Sequence, residues 1–268
     1  MMDTVSTIIF LHAHPDDESS QTSGSMSRAS EDGHRVVVVY ATNGDHGEVP
    51  DDLAPGETLV DRRRAEALAS AEATMTARVA WLGYADSGMT GWEQNGAADA
   101  FAMADIDEAA ARLAALLDEE DADLLVGYDW HGGYGHPDHV RVHHVVHRAA
   151  ELAARRPRLF ESTMNRDAMR RMREMGLAAG QEMDFDPDAP MDDGHPMGSP
   201  ETEIHWRVDV SGYLAQRRAA MRAHASQASD IGMFMAMPPE VFALVFGSEH
   251  YIEPGRPPGI QDGWPFGD

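Results

Sequence analysis

Ile8-Ile9-Phe10-Leu11-His12-Ala13-His14-Pro15-Asp16-Asp17-Glu18 joins an apolar run of strand length directly to a cluster of imidazole and carboxylate side chains. In an open α/β sheet, ligands bind at the carboxyl ends of the strands. A second cluster of this kind, Gly-Tyr-Gly-His-Pro-Asp-His at positions 133–139, follows the apolar run Leu124-Leu125-Val126-Gly127-Tyr128. The two stretches therefore predict one metal site that is assembled from two strand ends.

The rest of the N-terminal half alternates between strand and helix patterns. Arg35–Thr42 (RVVVVYAT) is the clearest strand, because it is β-branched and almost uninterrupted, as buried parallel strands are. The other predicted strands are 5–13, 79–82, 123–128 and 158–164, and the predicted helices are 24–32, 59–75, 105–119 and 138–154. This alternation predicts an α/β fold, with a Rossmann-like, mostly parallel sheet flanked by helices.

The C-terminal part has a weaker pattern. Residues 184–200 (DFDPDAPMDDGHPMGSP) are rich in Pro, Gly and Asp and predict a long mobile loop. Beyond it we predict a strand at 204–210, helices at 212–226 and 238–246, and an edge strand at 250–252. A chain of 268 residues suits one large α/β domain. We expect a single domain over 1–268, with a Rossmann-like core at 1–155 and a C-terminal extension at 156–268 covering the active site.

The composition limits the partners and the metal ligands. The net charge is −25, with 46 acidic against 21 basic residues, and every basic residue is Arg. Such a surface repels nucleic acid and anionic membranes, so we expect neither as a partner. The chain has no Cys, so a metal must be held by His, Asp or Glu.

We see no signal peptide and no apolar run near the ~20 residues of a membrane span. We therefore expect a cytoplasmic protein, with homo-oligomers left open.

Three residues of the two clusters have the character of a catalytic metal site. His14 and Asp17 are three residues apart, a spacing that puts both side chains on one side of a helical turn. His139 would supply the third ligand. Imidazole nitrogen and carboxylate oxygen are the usual non-thiolate ligands of zinc, and three protein ligands leave a position for water. The sequence therefore predicts a metal held by His14, Asp17 and His139.

The remaining polar residues of the clusters have catalytic chemistry. A carboxylate beside a metal-bound water can take its proton, and Asp16 is placed for this role as general base. Protonated His136 could stabilise the oxyanion of a tetrahedral intermediate and later donate a proton to a leaving amine. We expect Asp138 to orient His136 and to raise its pKa.

Simpler interpretations stay open at this point. Asp16 or Asp17 could cap a helix. His143 shares a helix face with His139 and His147 and could in principle bind the metal, but we expect His143, His144 and His147 to pack or to face solvent. We do not expect His12, His46 or His195 to be ligands. Two clusters, each at the end of an apolar strand, favour metal binding over capping.

Ala13-His14-Pro15-Asp16-Asp17-Glu18 and His136-Pro137-Asp138-His139 together resemble the PIG-L/LmbE-like family of zinc-dependent N-deacetylases. The resemblance covers about residues 5–155 well. It implies that zinc is held by His14, Asp17 and His139, that Asp16 is the general base, and that His136, with Asp138 as its partner, stabilises the oxyanion or acts as general acid.

Further residues are similar to the branch of the family in the mycothiol pathway, which contains a deacetylase and an amidase. That similarity implies that Tyr134 assists the oxyanion, and that Asp86 and Arg63 bind substrate. Met221–Gln227 is also like a family segment near the pocket, although it could equally be a helix end packed on the sheet. Residues 156–203 match neither enzyme, so the sequence leaves the exact substrate open.

The resemblance implies a zinc-dependent hydrolase that removes the N-acetyl group from an N-acetylglucosamine-containing small molecule, with Fe²⁺ as another candidate metal. A first alternative is an amidase that cleaves a larger acyl group, such as a mycothiol S-conjugate. An alternative of another class is a non-catalytic metal-binding Rossmann-like protein. A dinucleotide-binding protein is disfavoured because the first strand–helix turn lacks GxGxxG.

Overall fold

Eight strands form one sheet in the computed structural model, which describes residues 5–180 and 182–267. The strands are β1 Thr7–His12, β2 Arg35–Thr42, β3 Arg78–Tyr84, β4 Leu124–Tyr128, β5 Arg158–Thr163, β6 Trp206–Asp209, β7 Ser248–Ile252 and β8 Gln261–Asp262. Their order in the sheet is β3-β2-β1-β4-β5-β7-β6-β8. Strands β1 to β5 pair in parallel, whereas β7 runs antiparallel to both β5 and β6. The mostly parallel α/β fold expected from the sequence is confirmed. Residues 1–4, 181 and 268, which belong to the predicted domain span, lie outside the described residues.

The helices of the described part cover the two faces of this sheet. They are α1 Asp17–Gln21, α2 Ser23–Glu31, α3 Leu59–Ala73, α4 Ile106–Glu119, α5 Pro137–Leu152, α6 Arg166–Ala178, α7 Leu214–Ala223, α8 Ala228–Met235 and α9 Pro239–Phe246. None of these described helices is long and apolar enough to cross a lipid bilayer.

The central strands are buried on both faces, which explains their continuous apolar sequences. Ile9 and Leu11 of β1 pack into a core with α4 and α5, and Ile8 and Phe10 pack into a second core on the opposite face. All four side chains have no exposed surface. Successive strand residues point to opposite faces, so both sets of side chains must be apolar when both faces are covered.

The strand order creates a crevice beside β1. Strand β1 lies between β2 and β4, and the chain therefore leaves β1 toward one side of the sheet and later returns on the other. In open parallel sheets the ligand crevice lies at such a switch point, outside the carboxyl ends of the strands. The two polar clusters follow β1 and β4 directly. The topology thus brings to one place two stretches that are more than 100 residues apart in sequence.

The C-terminal part differs from the sequence analysis in several respects. The stretch expected to be an edge strand belongs to β7, which lies inside the sheet between β5 and β6, so the edge assignment was wrong. Helices α6 and α8 and strand β8 were not predicted. The sequence of α6 does carry a helical pattern, with Met169, Met172 and Met175 three residues apart, although of its residues only Gly176 is buried. The extension thus adds strands to the sheet as well as loops to the site.

Candidate metal centre and active site

The turn after β1 holds the first group of polar residues in an unusual backbone conformation. Asp16 has φ 115° and ψ −32° at the N-terminus of α1, and its side chain makes no capping hydrogen bond. A non-glycine residue in such a region costs about 1–3 kcal/mol and persists only where its surroundings hold it. The Asp16 N–H donates to Glu18 Oε2 at 3.0 Å, and Arg63 donates to Asp16 Oδ2 at 3.0 Å. Simple helix capping therefore does not explain Asp16.

His14 is a buried imidazole surrounded by carboxylates. Its Nδ1 lies 3.4 Å from Asp17 Oδ2, and its Nε2 lies 3.1 Å from Asp138 Oδ2 and 3.4 Å from Asp86 Oδ1. Burial lowers the pKa of His14, but Asp86, Asp138 and Asp17 outweigh burial and raise it well above its usual value. The Nε2–H can donate to Asp138, which leaves the Nδ1 lone pair on the side of Asp17.

His139 has the signature of a metal ligand. It has no exposed surface, and its Nδ1 lies 3.0 Å from the carbonyl oxygen of Gly132, to which the Nδ1–H can donate. Its Nε2 is buried without a hydrogen-bond partner, although Asp17 Oδ1 is only 3.2 Å away. A metal-bound His almost always donates its other ring N–H to a carbonyl or carboxylate. A buried nitrogen that faces a carboxylate oxygen without hydrogen-bonding to it fits a cation shared by the two groups.

Gly132 is required at the position that holds His139. Its φ is +62°, and a Cβ built on it would lie 2.3 Å from the Cβ of His139. Any side chain there would displace the ligand or its carbonyl partner, so the glycine run before the second cluster is explained by close packing.

Asp17 connects the two imidazoles. Its Oδ2 accepts the main-chain N–H of His14 at 2.8 Å, and its two oxygens face His14 Nδ1 and His139 Nε2. Burial raises the pKa of Asp17, but His139 and His14 hold it well below its usual value. The structure therefore brings together the three residues predicted as ligands.

Two neighbouring sets of possible ligands overlap this trio. Ligand atoms of His14, His136 and His139 lie within 4.8 Å of one another, and so do those of His14, Asp86, His136 and Asp138. The carboxylates of the second set already accept hydrogen bonds from main-chain N–H groups, at 2.9 Å from Ser87 and 2.8 Å from Gly88. Asp17 belongs to neither set, and its carboxylate likewise accepts a main-chain N–H, from His14 at 2.8 Å. His139 Nε2 has no hydrogen-bond partner, which favours a cation held by His139 over the second set.

Asp16 has the properties of a general base. Burial raises its pKa to about 6, while the Arg63 guanidinium lowers it and the Asp17 charge raises it. The side chain keeps 23% of its surface exposed. A carboxylate whose pKa is near 6 is ionised at neutral pH and still basic enough to accept a proton from water.

Arg63 was predicted to bind substrate, and the structure places it against the protein itself. It is 3% exposed, donates to the carbonyl of Gly44 at 2.7 Å, and also donates to the carbonyl of Pro15. Together with its bond to Asp16 these contacts hold the strained turn. Contact with substrate stays a prediction.

His136 differs from the expectation of a protonated imidazole. It caps α5, and its Nδ1 accepts the main-chain N–H of Asp138 at 3.1 Å. Burial, together with the neighbouring His14 and His139, lowers the pKa of His136 to about 3 against the opposing charge of Asp138. A neutral His136 with an acceptor at Nδ1 carries its proton on Nε2, where it can donate a hydrogen bond to an oxyanion without being an imidazolium.

Asp138 does not orient the His136 ring through its carboxylate, as the sequence analysis expected. That carboxylate contacts His14 Nε2 and accepts from the N–H of Ser87 at 2.9 Å and from the Ser87 hydroxyl. The reason is local geometry, because the first helical turn directs the Asp138 main chain to His136 and its side chain across the crevice. Ser87 was missed as a site residue, since a serine in a loop carries no distinctive spacing.

Asp86 and Tyr134 lie in the same crevice. Asp86 Oδ1 faces His14, and although burial raises the pKa of Asp86, His14 holds it well below its usual range. The Tyr134 ring centroid lies 4.9 Å from that of His139 and 6.2 Å from that of His136. Substrate binding by Asp86 and assistance to the oxyanion by Tyr134 stay predictions.

A buried network behind the first cluster was missed by the sequence analysis. Glu18 is 1% exposed, accepts from the Ser70 hydroxyl at 2.5 Å, and lies 2.6 Å from His224 Nε2. Burial raises the pKa of Glu18, but His224 and Ser70 lower it to about 2. This network ties the Met221–Gln227 segment to the site. Only the tertiary fold could reveal it, because Glu18 and His224 are 206 positions apart.

The segment around residue 193 forms part of the wall beside the second cluster. Asp193 Oδ2 lies 2.7 Å from Nε2 of His131, which is 1% exposed, and Gly198 N–H donates to Gly133 O at 2.6 Å. The stretch predicted to be a mobile loop therefore contacts the loop that carries the metal ligand. Its mobility stays a prediction.

Comparison with known proteins agrees with this geometry. The sequence matches the family described as PIG-L: GlcNAc-PI de-N-acetylase over residues 9–150, which is more than half of the chain. A 1D-myo-inositol 2-acetamido-2-deoxy-alpha-D-glucopyranoside deacetylase from Streptomyces avermitilis is 38% identical over 267 residues, covering 91% of this chain and 90% of that protein. The protein of the same name from Thermobispora bispora is 34% identical over 284 residues, covering 97% and 92%.

A solved structure has the same fold. N,N'-diacetylchitobiose deacetylase from Pyrococcus horikoshii matches with a TM-score of 0.57 and 20% identity, covering 92% of this chain and 82% of that one. At this identity the likeness bears on the fold alone.

Proposed function

The chain belongs to the PIG-L family of de-N-acetylases, and from that premise we propose that it is a zinc enzyme acting on 1D-myo-inositol 2-acetamido-2-deoxy-α-D-glucopyranoside. The broader activity, N-deacetylation of an acetylglucosamine-containing small molecule, follows from relatives that align over nearly their whole length. Zinc, the inositol aglycone and the residue roles are the parts that we propose.

One observation carries the assignment of the metal. His139 Nε2 is buried and unpartnered, and it faces an oxygen of Asp17 whose other oxygen faces His14. Two imidazoles and one carboxylate are a ligand combination of catalytic zinc sites. When bound, zinc supplies Lewis-acid chemistry, because it polarises an amide carbonyl and acidifies a water.

The chain's own residues supply the proton transfers and the hydrogen bonds. Asp16, with its pKa near 6, accepts the proton of the attacking water, and Arg63 holds the carboxylate in position. Neutral His136 donates its Nε2–H to the oxyanion that forms on the amide oxygen. The proton held by Asp16 is then available for the nitrogen of the leaving amine, so that one acetate and one free amine are formed.

The acidic character of the crevice agrees with the product. Asp86 and Asp138 lie beside the ligands, and the deacetylated 2-amino group is a cation at neutral pH. We expect the outer walls of the crevice, which include the segment around Asp193, to recognise the aglycone. A cytoplasmic location, as expected from the sequence, and the oligomeric state stay predictions.

The direct test is release of primary amine from three substrates at matched concentration: the N-acetylglucosaminyl-inositol, a mycothiol S-conjugate and N,N'-diacetylchitobiose. The proposal predicts the highest kcat/KM for the first. A higher kcat/KM for the mycothiol S-conjugate would instead make the chain an amidase for larger acyl groups. His136→Asn serves as the matched variant, since it should keep its metal while it loses deacetylation. A metal-loaded His136→Asn with full activity would contradict the mechanism.

A further inference from the structure

A second group of metal-binding side chains lies further along α5, outside the deacetylase centre. His143 and His147 are one helical turn apart on α5, and Glu161 projects from β5 toward them. Ligand atoms of these three residues lie within 4.8 Å of one another. We propose that His143, His147 and Glu161 form an accessory divalent-cation site that takes zinc or a metal of similar preference such as nickel.

The carboxylate of this group needs a positive partner. The Glu161 side chain is 8% exposed and comes from the middle of β5. It lies 2.6 Å from His147 Nε2 and 3.4 Å from His143 Nδ1. Buried carboxylates are costly unless they are paired or coordinate a metal. A cation bound between the three groups would take the place of the hydrogen bond between His147 and Glu161.

The near imidazole nitrogens both face the carboxylate of Glu161. His143 Nδ1 lies 3.4 Å from Glu161 Oε1 and 3.1 Å from the carbonyl oxygen of Tyr128, and His147 Nε2 lies 2.6 Å from Glu161 Oε1. A cation bound here would take the lone pair of His143 Nδ1 in place of an N–H bond to the carbonyl of Tyr128. His147 is 37% exposed in its side chain, so the group is open to solvent and a water can complete the coordination. Two imidazoles with one carboxylate suit zinc and nickel rather than magnesium or calcium.

The position of the group suggests what the metal does. It joins α5 to β5, and α5 also carries His139, one turn or about 6 Å before His143. A cation that binds only the folded protein raises its stability by mass action. The accessory site therefore acts on stability and leaves the deacetylase chemistry to the first cluster, and it does not depend on the function proposed above.

The test is a Zn²⁺ titration of the full chain after removal of metal with a chelator. Ions per chain are measured by elemental analysis, and Tm is measured at each free Zn²⁺ concentration. We expect two ions for the unchanged protein and one for His147→Ala, which should keep kcat/KM within about twofold because the two sites share no ligand. His144→Ala is the matched control, since His144 is exposed on the same helix and outside the group, and it should bind two ions.

Glu161→Gln provides a second variant of nearly the same shape, in which the affinity of the weaker ion should fall at least about tenfold. The Zn²⁺-dependent rise in Tm beyond saturation of the first site should disappear in His147→Ala and in Glu161→Gln. A single ion in the unchanged protein would overturn the proposal. So would a His147→Ala variant that binds as many ions as the His144→Ala variant.

Discussion

The parallel part of the sheet, β1 to β5, and the antiparallel part, where β7 pairs with β5 and β6, use buried charges for different purposes. At the ends of β1 and β4, the two oxygens of Asp17 face His14 Nδ1 and His139 Nε2, and His139 Nε2 has no hydrogen-bond partner. In the antiparallel part, Glu249 and Arg217 form an ion pair whose side chains are 3% and 2% exposed. The first region keeps its charges available for a ligand, whereas the second satisfies them internally.

The internal pair fastens the C-terminal part to the N-terminal helices. Glu249 accepts the N–H groups of Gly24 and Ser25 at 2.9 and 3.0 Å, and the hydroxyl of Tyr251 at 2.8 Å. Burial lowers the pKa of Arg217 to about 10, so it stays charged at neutral pH. Removal of a charged side chain should therefore abolish activity at the ends of β1 and β4. In the antiparallel part it should lower the free energy of unfolding.

The largest effect is expected from removal of a ligand. Asp17→Asn should bind one ion fewer per chain and lose deacetylation to background, because neither carbonyl polarisation nor water activation remains. Elemental analysis and amine release measure the two quantities. Asp86→Asn is the matched control, since it removes a nearby carboxylate and should keep the ion. Loss of the ion from Asp86→Asn, with retention in Asp17→Asn, would favour the neighbouring set of ligands.

Replacement of the base should separate chemistry from metal binding. Asp16→Asn keeps the shape of the side chain but cannot accept the proton, so kcat should fall about 10²–10⁴-fold. The metal content and Tm should stay close to those of the unchanged protein. Steady-state kinetics on the metal-loaded variant measure kcat. A decrease in kcat of less than tenfold would exclude Asp16 as the general base.

The ion pair of the antiparallel part should affect stability rather than kcat. Arg217→Met leaves the Glu249 charge buried without its partner, which should cost about 3–5 kcal/mol in urea unfolding. The kcat of the folded fraction should not change. Arg207→Met is the control, because its pair with Asp262 is half exposed or more and should contribute at most about 1 kcal/mol. If both variants lost the same free energy of unfolding, the buried ion pair would not be more stabilising than the exposed one, which would contradict the account.

The smallest effect is a pH dependence of stability from β7. Burial and the nearby Arg207 together lower the pKa of His250 to about 4. The folded state therefore disfavours the proton that the unfolded chain binds near pH 6.5. The stability contributed by neutral His250 is complete above pH 6.5 and is lost as the pH falls toward 4.

Urea unfolding of the unchanged protein and of His250→Gln at pH 7 and pH 5 measures this contribution. The unchanged protein should lose roughly 1–3 kcal/mol more than the variant on acidification. If both proteins lost the same free energy of unfolding between pH 7 and pH 5, His250 would not be the cause of the pH dependence.

The local sequence predicted the parallel half of the fold well. Residues 8–11 and 36–42 are buried on both faces, and their almost unbroken apolar pattern follows directly from that burial. Family membership could also be recognised, because each of the two motifs is a continuous run of residues in the sequence. Helix α6 was missed although Met169, Met172 and Met175 recur at helical spacing. The interior place of β7 was missed because a short strand does not show from its own sequence which strands it pairs with.

The residues named from the sequence lie in one crevice, and their roles stay predictions, but several of their contacts were not foreseen. Pairing of Asp138 with His136 was a reasonable inference from adjacency, yet the Asp138 carboxylate reaches His14 across the crevice. The contacts of Glu18 with His224 and of His131 with Asp193 join distant segments. Such contacts depend on the tertiary fold, and no spacing in the sequence indicates them.

Anomalous diffraction at the zinc absorption edge, from crystals of the metal-loaded protein, tests the central claim most directly. The account predicts a peak at about 2.0–2.2 Å from a ring nitrogen of His14, an oxygen of Asp17 and Nε2 of His139. A peak bound instead by Asp86, His136 and Asp138, or no peak within bonding distance of His139, would contradict it.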